Sequence, residues 1–154
     1  KGPVGVDIDA IDRIGTVDVL RPDQNPKVLL VGVGQMASMA VGVGEELAKV
    51  GIGSTVVDPR WIKPLDPAIA DLAALHQLVV TIEDNGRQGG VGATVLTLLS
   101  DRQIDVPVQL HGVEQEFLDH AKRDVILSRL GLTVEAITAK AIARLGESTG
   151  GQSR

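Results

Sequence analysis

The residues best placed to do chemistry are Arg60 and Lys63, in the stretch Val56-Val57-Asp58-Pro59-Arg60-Trp61-Ile62-Lys63-Pro64-Leu65-Asp66. Two cations three positions apart stand between two prolines, after what reads as a buried strand. Pro59 fixes its own φ and offers no N–H, and Pro64 keeps Lys63 extended, so the segment is stiff. An Arg on a stiff loop beyond a strand end presents a planar fork that matches two phosphate oxygens at once. Arg60 is therefore the candidate phosphate-binding residue. A salt bridge to an acid such as Asp58 or Asp66 is its structural alternative. Lys63 reads as solvated or structural. Trp61, the single Trp of the chain, reads as an anchor for its loop or part of an interface.

A second pattern is Gly32-Val33-Gly34-Gln35-Met36-Ala37, a GxGxxA between a strand and a helix, with Asp58 at the end of the next strand. That is the context of a dinucleotide fingerprint using Gly32, Gly34 and Asp58. The plainer reading is a tight strand–helix turn, and Arg60 and Trp61 would crowd a ribose at Asp58. A third loop, Glu83-Asp84-Asn85-Gly86-Arg87-Gln88-Gly89-Gly90-Val91-Gly92, is glycine-rich and leads into a helix whose free amides could take an anion. Glu83 and Asp84 are adjacent and point to opposite faces of a strand, which is poor geometry for a carboxylate pair. A flexible turn with a glycine-packed helix, against the sheet or, preferably, another subunit, is the favoured reading there. His76, His111 and His120 lack metal-ligand spacing and read as structural; His76 ends a helix, where a cation is favoured. No Ser stands in a GxSxG setting. The sequence thus holds one good anion-binding Arg and no complete catalytic constellation, which suits an accessory part of an enzyme.

These groups need a scaffold, and the bulk composition describes one. The 154 residues suffice for one domain with a full core. Hydrophobic residues make up 44% and aromatics 1%, so Val, Ile, Leu and Ala must fill that core, as in a sheet covered by helices. A net charge of −5 argues against a nucleic-acid or membrane-surface protein. The absence of Cys excludes disulfides and thiolate chemistry. No apolar run approaches the roughly 20 residues of a membrane span, and the cytosol is the default compartment. The start, Lys-Gly-Pro-Val-Gly-Val-Asp, lacks Met and resembles the interior of a longer protein.

Along the chain, Lys1 to Ile14 reads as a linker and Gly146 to Arg154 as a disordered tail, leaving one domain over residues 15–145. Thr16 to Leu20 alternates like a short, half-exposed strand. Val28 to Val33, Ser54 to Val57 and Leu78 to Glu83 read as buried strands, and Val106 to Leu110 as a shorter fourth strand. Helices are expected over Gln35–Val50 (closed at Gly51), Pro67–His76 (capped by Asp66), Gly89–Ser100, Arg123–Leu130 and Thr133–Leu145. Strands alternating with helices predict parallel βαβ units and a three-layer α/β/α sandwich. Ligands gather at the carboxyl ends of the strands in such sheets. The loops Gly32–Gln35, Asp58–Asp66 and Asp84–Gly92 leave those ends.

Taken together, "VLLVGVGQMASMA", "VVDPRWIKPLD", "LVVTIEDNGRQGGVG" and "GLTVEAI" resemble the carboxy-terminal domain of the 1-deoxy-D-xylulose-5-phosphate synthases, actinobacterial forms above all. The resemblance runs from about Lys1 to about Leu145. "DPRWIKPLD" with "EDNGRQGGVG" is specific as a pair; either alone would fit the wider transketolase group, including the β subunits of 2-oxo acid dehydrogenases. The resemblance implies a parent enzyme that joins pyruvate to glyceraldehyde 3-phosphate with loss of carbon dioxide, for isoprenoid precursor synthesis, using thiamine diphosphate and Mg²⁺. It implies that the cofactor is held by domains preceding this one, so that this piece alone neither binds it nor catalyses. It implies a five-stranded mixed sheet with Thr16–Leu20 as an antiparallel edge strand, and a homodimer to which the domain contributes. It assigns Arg60 to the phosphate of the acceptor aldehyde. The chain departs from the family at Gly112-Val113-Glu114 and after His120, which leaves the packing of His111 to Lys122 open.

Overall fold

The computed structural model describes residues 8–113 and 121–150. Its elements are β1 (Asp12–Ile14), β2 (Val17–Arg21), β3 (Val28–Gly32), a 3-10 turn (Gly34–Met36), α1 (Ala37–Lys49), β4 (Ser54–Asp58), α2 (Ala68–Ala74), β5 (Leu78–Gly86), α3 (Val91–Asp101), β6 (Val108–Val113), α4 (Arg123–Arg129) and α5 (Val134–Gly150). The sheet runs β1-β2-β4-β3-β5-β6. β3 lies parallel to β4 and β5, and β5 parallel to β6. β2 pairs antiparallel with β4, and β1 antiparallel with β2.

Strand alternation divides the interior into two cores. Val28 and Leu30 of β3, Val56 of β4, and Leu78, Val80 and Ile82 of β5 pack with Ala40, Val43 and Leu47 of α1 and Ile137 and Ala141 of α5. Their neighbours Leu29, Val31, Val57 and Val79 point the other way, onto Ile69 and Ala73 of α2 and Val91, Val95 and Leu99 of α3. Helices therefore cover both faces, the expected three-layer sandwich. Branched aliphatic side chains fill both layers, which is why a chain so poor in aromatics can close its core.

The sheet has six strands, not the expected five. Asp12–Ile14 was expected within a linker but forms β1, exposed at all three positions and joined through its backbone. A short strand with no buried side chain leaves no hydrophobic period to read. Its presence moves β2 from the edge to an interior position, and Val17 to Leu20 are buried rather than half-exposed. At the other end, α5 continues to Gly150 instead of stopping at Leu145. The first and last few residues of the expected linker and tail, 1–7 and 151–154, lie outside the described residues.

The helix ends show local chemistry at work. Asp66 Oδ1 accepts from Ala68 N–H at 2.9 Å, the expected cap of α2. Thr133 Oγ1 accepts from Ala136 N–H at 3.2 Å at the start of α5. α1 closes as expected at Gly51 (φ 78°), with Gly51 N–H on Ala48 O and Ile52 N–H on Leu47 O, each at 3.0 Å. α3 closes with the same bonds from Gln103 and Ile104 to Ser100 and Leu99, but Gln103 holds a left-handed φ of 57° that strains any residue with a Cβ. Gln103→Gly is expected to raise stability by about 0.5–1 kcal/mol, measured as a higher urea midpoint at unchanged m-value. A lower midpoint would show that the Gln side chain stabilises this corner more than the strain costs.

Candidate functional site

β3, β4 and β5 run parallel, so their carboxyl ends open on one side of the sheet, and the three candidate loops meet there. A cavity of about 310 Å³ joins the first two loops, lined by Gly34, Gln35, Ala37, Asp18, Leu20, Asp58 and Arg60, together with Ile8. A second, of about 460 Å³, joins the second and third loops, with Ile62 and Lys63 on one wall and Glu83, Gly86, Gly89 and Gly90 on the other.

Arg60 follows β4 directly and carries a left-handed φ of 62°. Trp61 N–H donates to Pro59 O at 2.6 Å across it, a three-residue turn centred on the Arg. A non-glycine residue in this region costs of order 1–2 kcal/mol and persists only when its surroundings enforce it. Here Asp58 Oδ1 accepts Arg60 N–H at 2.9 Å. The side chain makes an ion pair from Nε to Asp18 Oδ2 at 3.3 Å and remains 58% exposed. Arg60 thus has a carboxylate partner, but Asp18 rather than the Asp58 or Asp66 weighed from sequence, and it still lines the strand-end cavity. Burial pushes the Asp58 carboxyl up, opposed by the Arg60 amide and charge. Asp66 is occupied elsewhere: its Oδ2 accepts Thr16 N–H at 2.8 Å and Thr16 Oγ1–H at 2.9 Å, tying the β1–β2 turn to α2. The bond from Ala68 N–H and then those from Thr16 hold its carboxyl below the ordinary range.

Gly32 is a packing glycine. A Cβ there would lie 2.7 Å from Ala40 Cβ and 2.8 Å from Ala37 Cα. With Asp58 buried and bonded to Arg60, the GxGxxA turn behaves as a close strand–helix junction. Lys63 lines the second cavity, apart from Arg60. Trp61 is 65% exposed, so it does not anchor the loop in this domain.

The third loop is organised by a residue whose role the sequence did not disclose. Glu83 is 1% exposed, and its Oε2 and Oε1 accept Val91 N–H at 2.8 Å and Gly92 N–H at 3.0 Å. A carboxylate from within β5 therefore caps α3, where the helix dipole favours negative charge. The amides considered for an external anion already have one from within the fold. Arg123 of α4 adds a second tie, donating to Gln35 Oε1 at 2.9 Å and pairing with Asp84.

His76 and His111 are buried groups whose pKa values burial lowers. His76 Nδ1 bonds Leu72 O at 2.6 Å and Nε2 meets Thr55 Oγ1 at 3.0 Å; burial lowers its pKa, so it is not the helix-end cation expected. His111, buried on β6, is lowered to about 4, first by burial and then by Lys140 and Arg87. His120 lies outside the described residues. A His with a depressed folded pKa favours the fold above its ordinary pKa, because the unfolded chain takes up the proton first as pH falls. Stability should decline from about pH 6.5 to about pH 4 through His111, at a slope of up to about 1.4 kcal/mol per pH unit. In His111→Gln that slope should flatten, as read from urea midpoints across this range; an unchanged slope would place the acid sensitivity elsewhere. Among the described residues, no three His, Asp or Glu side chains gather as metal ligands, and no helix is long and apolar enough to cross a membrane.

Comparison with known proteins places this geometry. A family profile described as transketolase, C-terminal domain, matches residues 15–137. A protein of Frankia casuarinae named 1-deoxy-D-xylulose-5-phosphate synthase is 52% identical over 146 residues, covering 92% of this chain and 22% of that protein. A Thermobifida fusca protein of the same name is 50% identical over 144 residues, covering 91% of this chain and 23% of its own length. The chain thus spans under a quarter of either relative. Among solved structures, a split-gene transketolase described as an inactive beta4 tetramer superposes with a TM-score of 0.76 at 27% identity, over 88% of this chain and 45% of that one. Transketolase from Campylobacter jejuni gives a TM-score of 0.60 at 16% identity, over 88% of this chain and 20% of that one, a likeness of fold. The sheet, the strand-end loops and the profile agree: this chain belongs to the transketolase C-terminal domain family.

Proposed function

We propose that this chain is the carboxy-terminal domain of a 1-deoxy-D-xylulose-5-phosphate synthase, which condenses pyruvate with glyceraldehyde 3-phosphate and releases carbon dioxide. The observation that carries this reading is identity of about half, over nine-tenths of the chain, to relatives bearing that name. Thiamine diphosphate and Mg²⁺ would be the parent's cofactors. This reading assigns both groups to domains of the parent other than this one. The proposal therefore leaves cofactor chemistry to other domains and gives this one no step in it.

The domain's contribution is Arg60. Its ion pair to Asp18 is made from Nε, on one side of the guanidinium, and the exposed side chain stands at the strand-end cavity. Two Nη groups then form the fork toward the phosphate of the acceptor aldehyde. The Asp18 contact favours a second reading, in which Arg60 only fastens the β4 loop to β2. Trp61, exposed at the same loop, supports a surface covered by another domain or by the second protomer of a cytoplasmic homodimer. The full-length enzyme should consume pyruvate rapidly only with glyceraldehyde 3-phosphate, thiamine diphosphate and Mg²⁺ all present. Turnover of a phosphoketose donor in place of pyruvate would assign the chain to a different transketolase-group enzyme.

A further inference from the structure

Asp18 of β2 stands directly opposite Asp58 of β4. Leu20 and Val56, two positions away on each strand, belong to the core under α1, so alternation puts both carboxylates on that face. Both are buried, at 5% and 8% exposure. Two acids facing each other inside a protein are costly unless their charge is matched. Asp18 Oδ1 takes Arg13 Nε at 2.8 Å, and its Oδ2 lies 3.3 Å from Arg60 Nε. Asp58 Oδ1 takes the Arg60 backbone N–H at 2.9 Å.

Arg60 is consequently held twice, by Asp58 at its backbone and by Asp18 at its side chain. Fold stability alone does not require this. A buried carboxylate and its ion pairs can often be replaced by apolar residues at little loss, and an Arg with positive φ adds strain to the cost. Sparsely allowed backbone enforced by its surroundings is characteristic of sites where a side chain must be aimed. The guanidinium has three N–H-bearing edges, and occupying Nε leaves the paired Nη edge for a ligand at the cavity shared with Gly34 and Gln35.

We propose that Asp18 is a positioning residue for Arg60, its buried carboxylate engaging Nε and so orienting the Nη edge toward a phosphoryl group. The proposal rests on the reading of Arg60 as the phosphate contact. Asp18 touches no substrate itself; it sets the geometry of the group that does. The Arg13 contact, from a side chain 64% exposed, neutralises the acid further and is dispensable for that geometry.

The test uses the full-length synthase and two acceptors, glyceraldehyde 3-phosphate and unphosphorylated glyceraldehyde. Asp18→Asn should raise KM for the phosphorylated aldehyde about tenfold, leave kcat within about twofold, and spare the unphosphorylated aldehyde. In an Arg60→Ala background it should change nothing further, the signature of two residues acting as one. Arg13→Ala should leave the preference for phosphate intact. Equal losses on both aldehydes, an effect that persists without Arg60, or an equal effect of Arg13→Ala would overturn the positioning role. If Arg60→Ala is selective and Asp18→Asn is not, the positioning role falls and the phosphate contact stands; if Arg60→Ala is itself unselective, both fall. Should Asp18→Asn fail to fold, Asp18→Glu keeps the charge and shifts it by one methylene. Unchanged selectivity in that variant would overturn the proposal.

Discussion

Glu83→Ala is expected to destabilise the fold by about 3–5 kcal/mol, since each buried donor left without a partner costs about 1–3 kcal/mol and these bonds carry charge. Both carboxylate oxygens are committed, to Val91 N–H and Gly92 N–H, on a side chain only 1% exposed. Against a typical stability of about 5–15 kcal/mol, that loss should lower the urea midpoint of the chain by a large fraction. Glu83→Gln keeps one acceptor but turns an amide NH₂ toward the other donor, so it should fall between wild type and Ala. Gly90 belongs to the same arrangement: a Cβ there would sit 2.5 and 2.7 Å from the two Glu83 oxygens. Gly90→Ala should therefore displace the cap. A Glu83→Ala variant within about 1 kcal/mol of wild type would mean that other groups can satisfy the α3 amides.

Arg60 carries the other large effect. A charge-assisted hydrogen bond to phosphate contributes about 1.5–3 kcal/mol, so losing a two-pronged contact should lower kcat/KM for glyceraldehyde 3-phosphate roughly 10²-fold or more. Arg60→Gly should show the same loss yet be more stable than Arg60→Ala by about 0.5–1 kcal/mol, because glycine relieves the φ of 62°. Those two variants separate activity from folding at one position. If Arg60 is only a fastener between β2 and the β4 loop, both variants should lose stability and neither should distinguish the aldehydes.

The order of elements was legible in the sequence because it rests on strong periodic signals. Val28–Val31 is an apolar run of strand length, Ser54–Val57 and Leu78–Ile82 are short β-branched and aliphatic stretches, and the α1 pattern breaks where Gly51 permits the closing turn. The stiff loop at Arg60 was legible from its prolines. What escaped was pairing across the fold. "TVDVL" alternates like a half-exposed strand, whereas in the fold β1 pairs outside β2 and Asp18 is 5% exposed. The partner of Arg60 was sought nearby, at Asp58 and Asp66, whereas Asp18 lies across an antiparallel pair. Glu83 was legible in part. Alternation from Val79 places it on the α3 face, and the glycines at 90 and 92 announce a close approach there. A carboxylate aimed at a helix start is the one capping pattern that spacing along the chain cannot reveal. Of the two readings of Trp61, its exposure sets aside the loop anchor and is compatible with the interface.

The most direct measurement is the ratio of kcat/KM for glyceraldehyde 3-phosphate to that for unphosphorylated glyceraldehyde, in full-length wild-type enzyme and in Arg60→Ala. The account predicts that the ratio falls roughly 10²-fold, with the unphosphorylated aldehyde changed by no more than about twofold. A ratio that stays constant while both rates drop would contradict it, and would leave Arg60 as part of the scaffold.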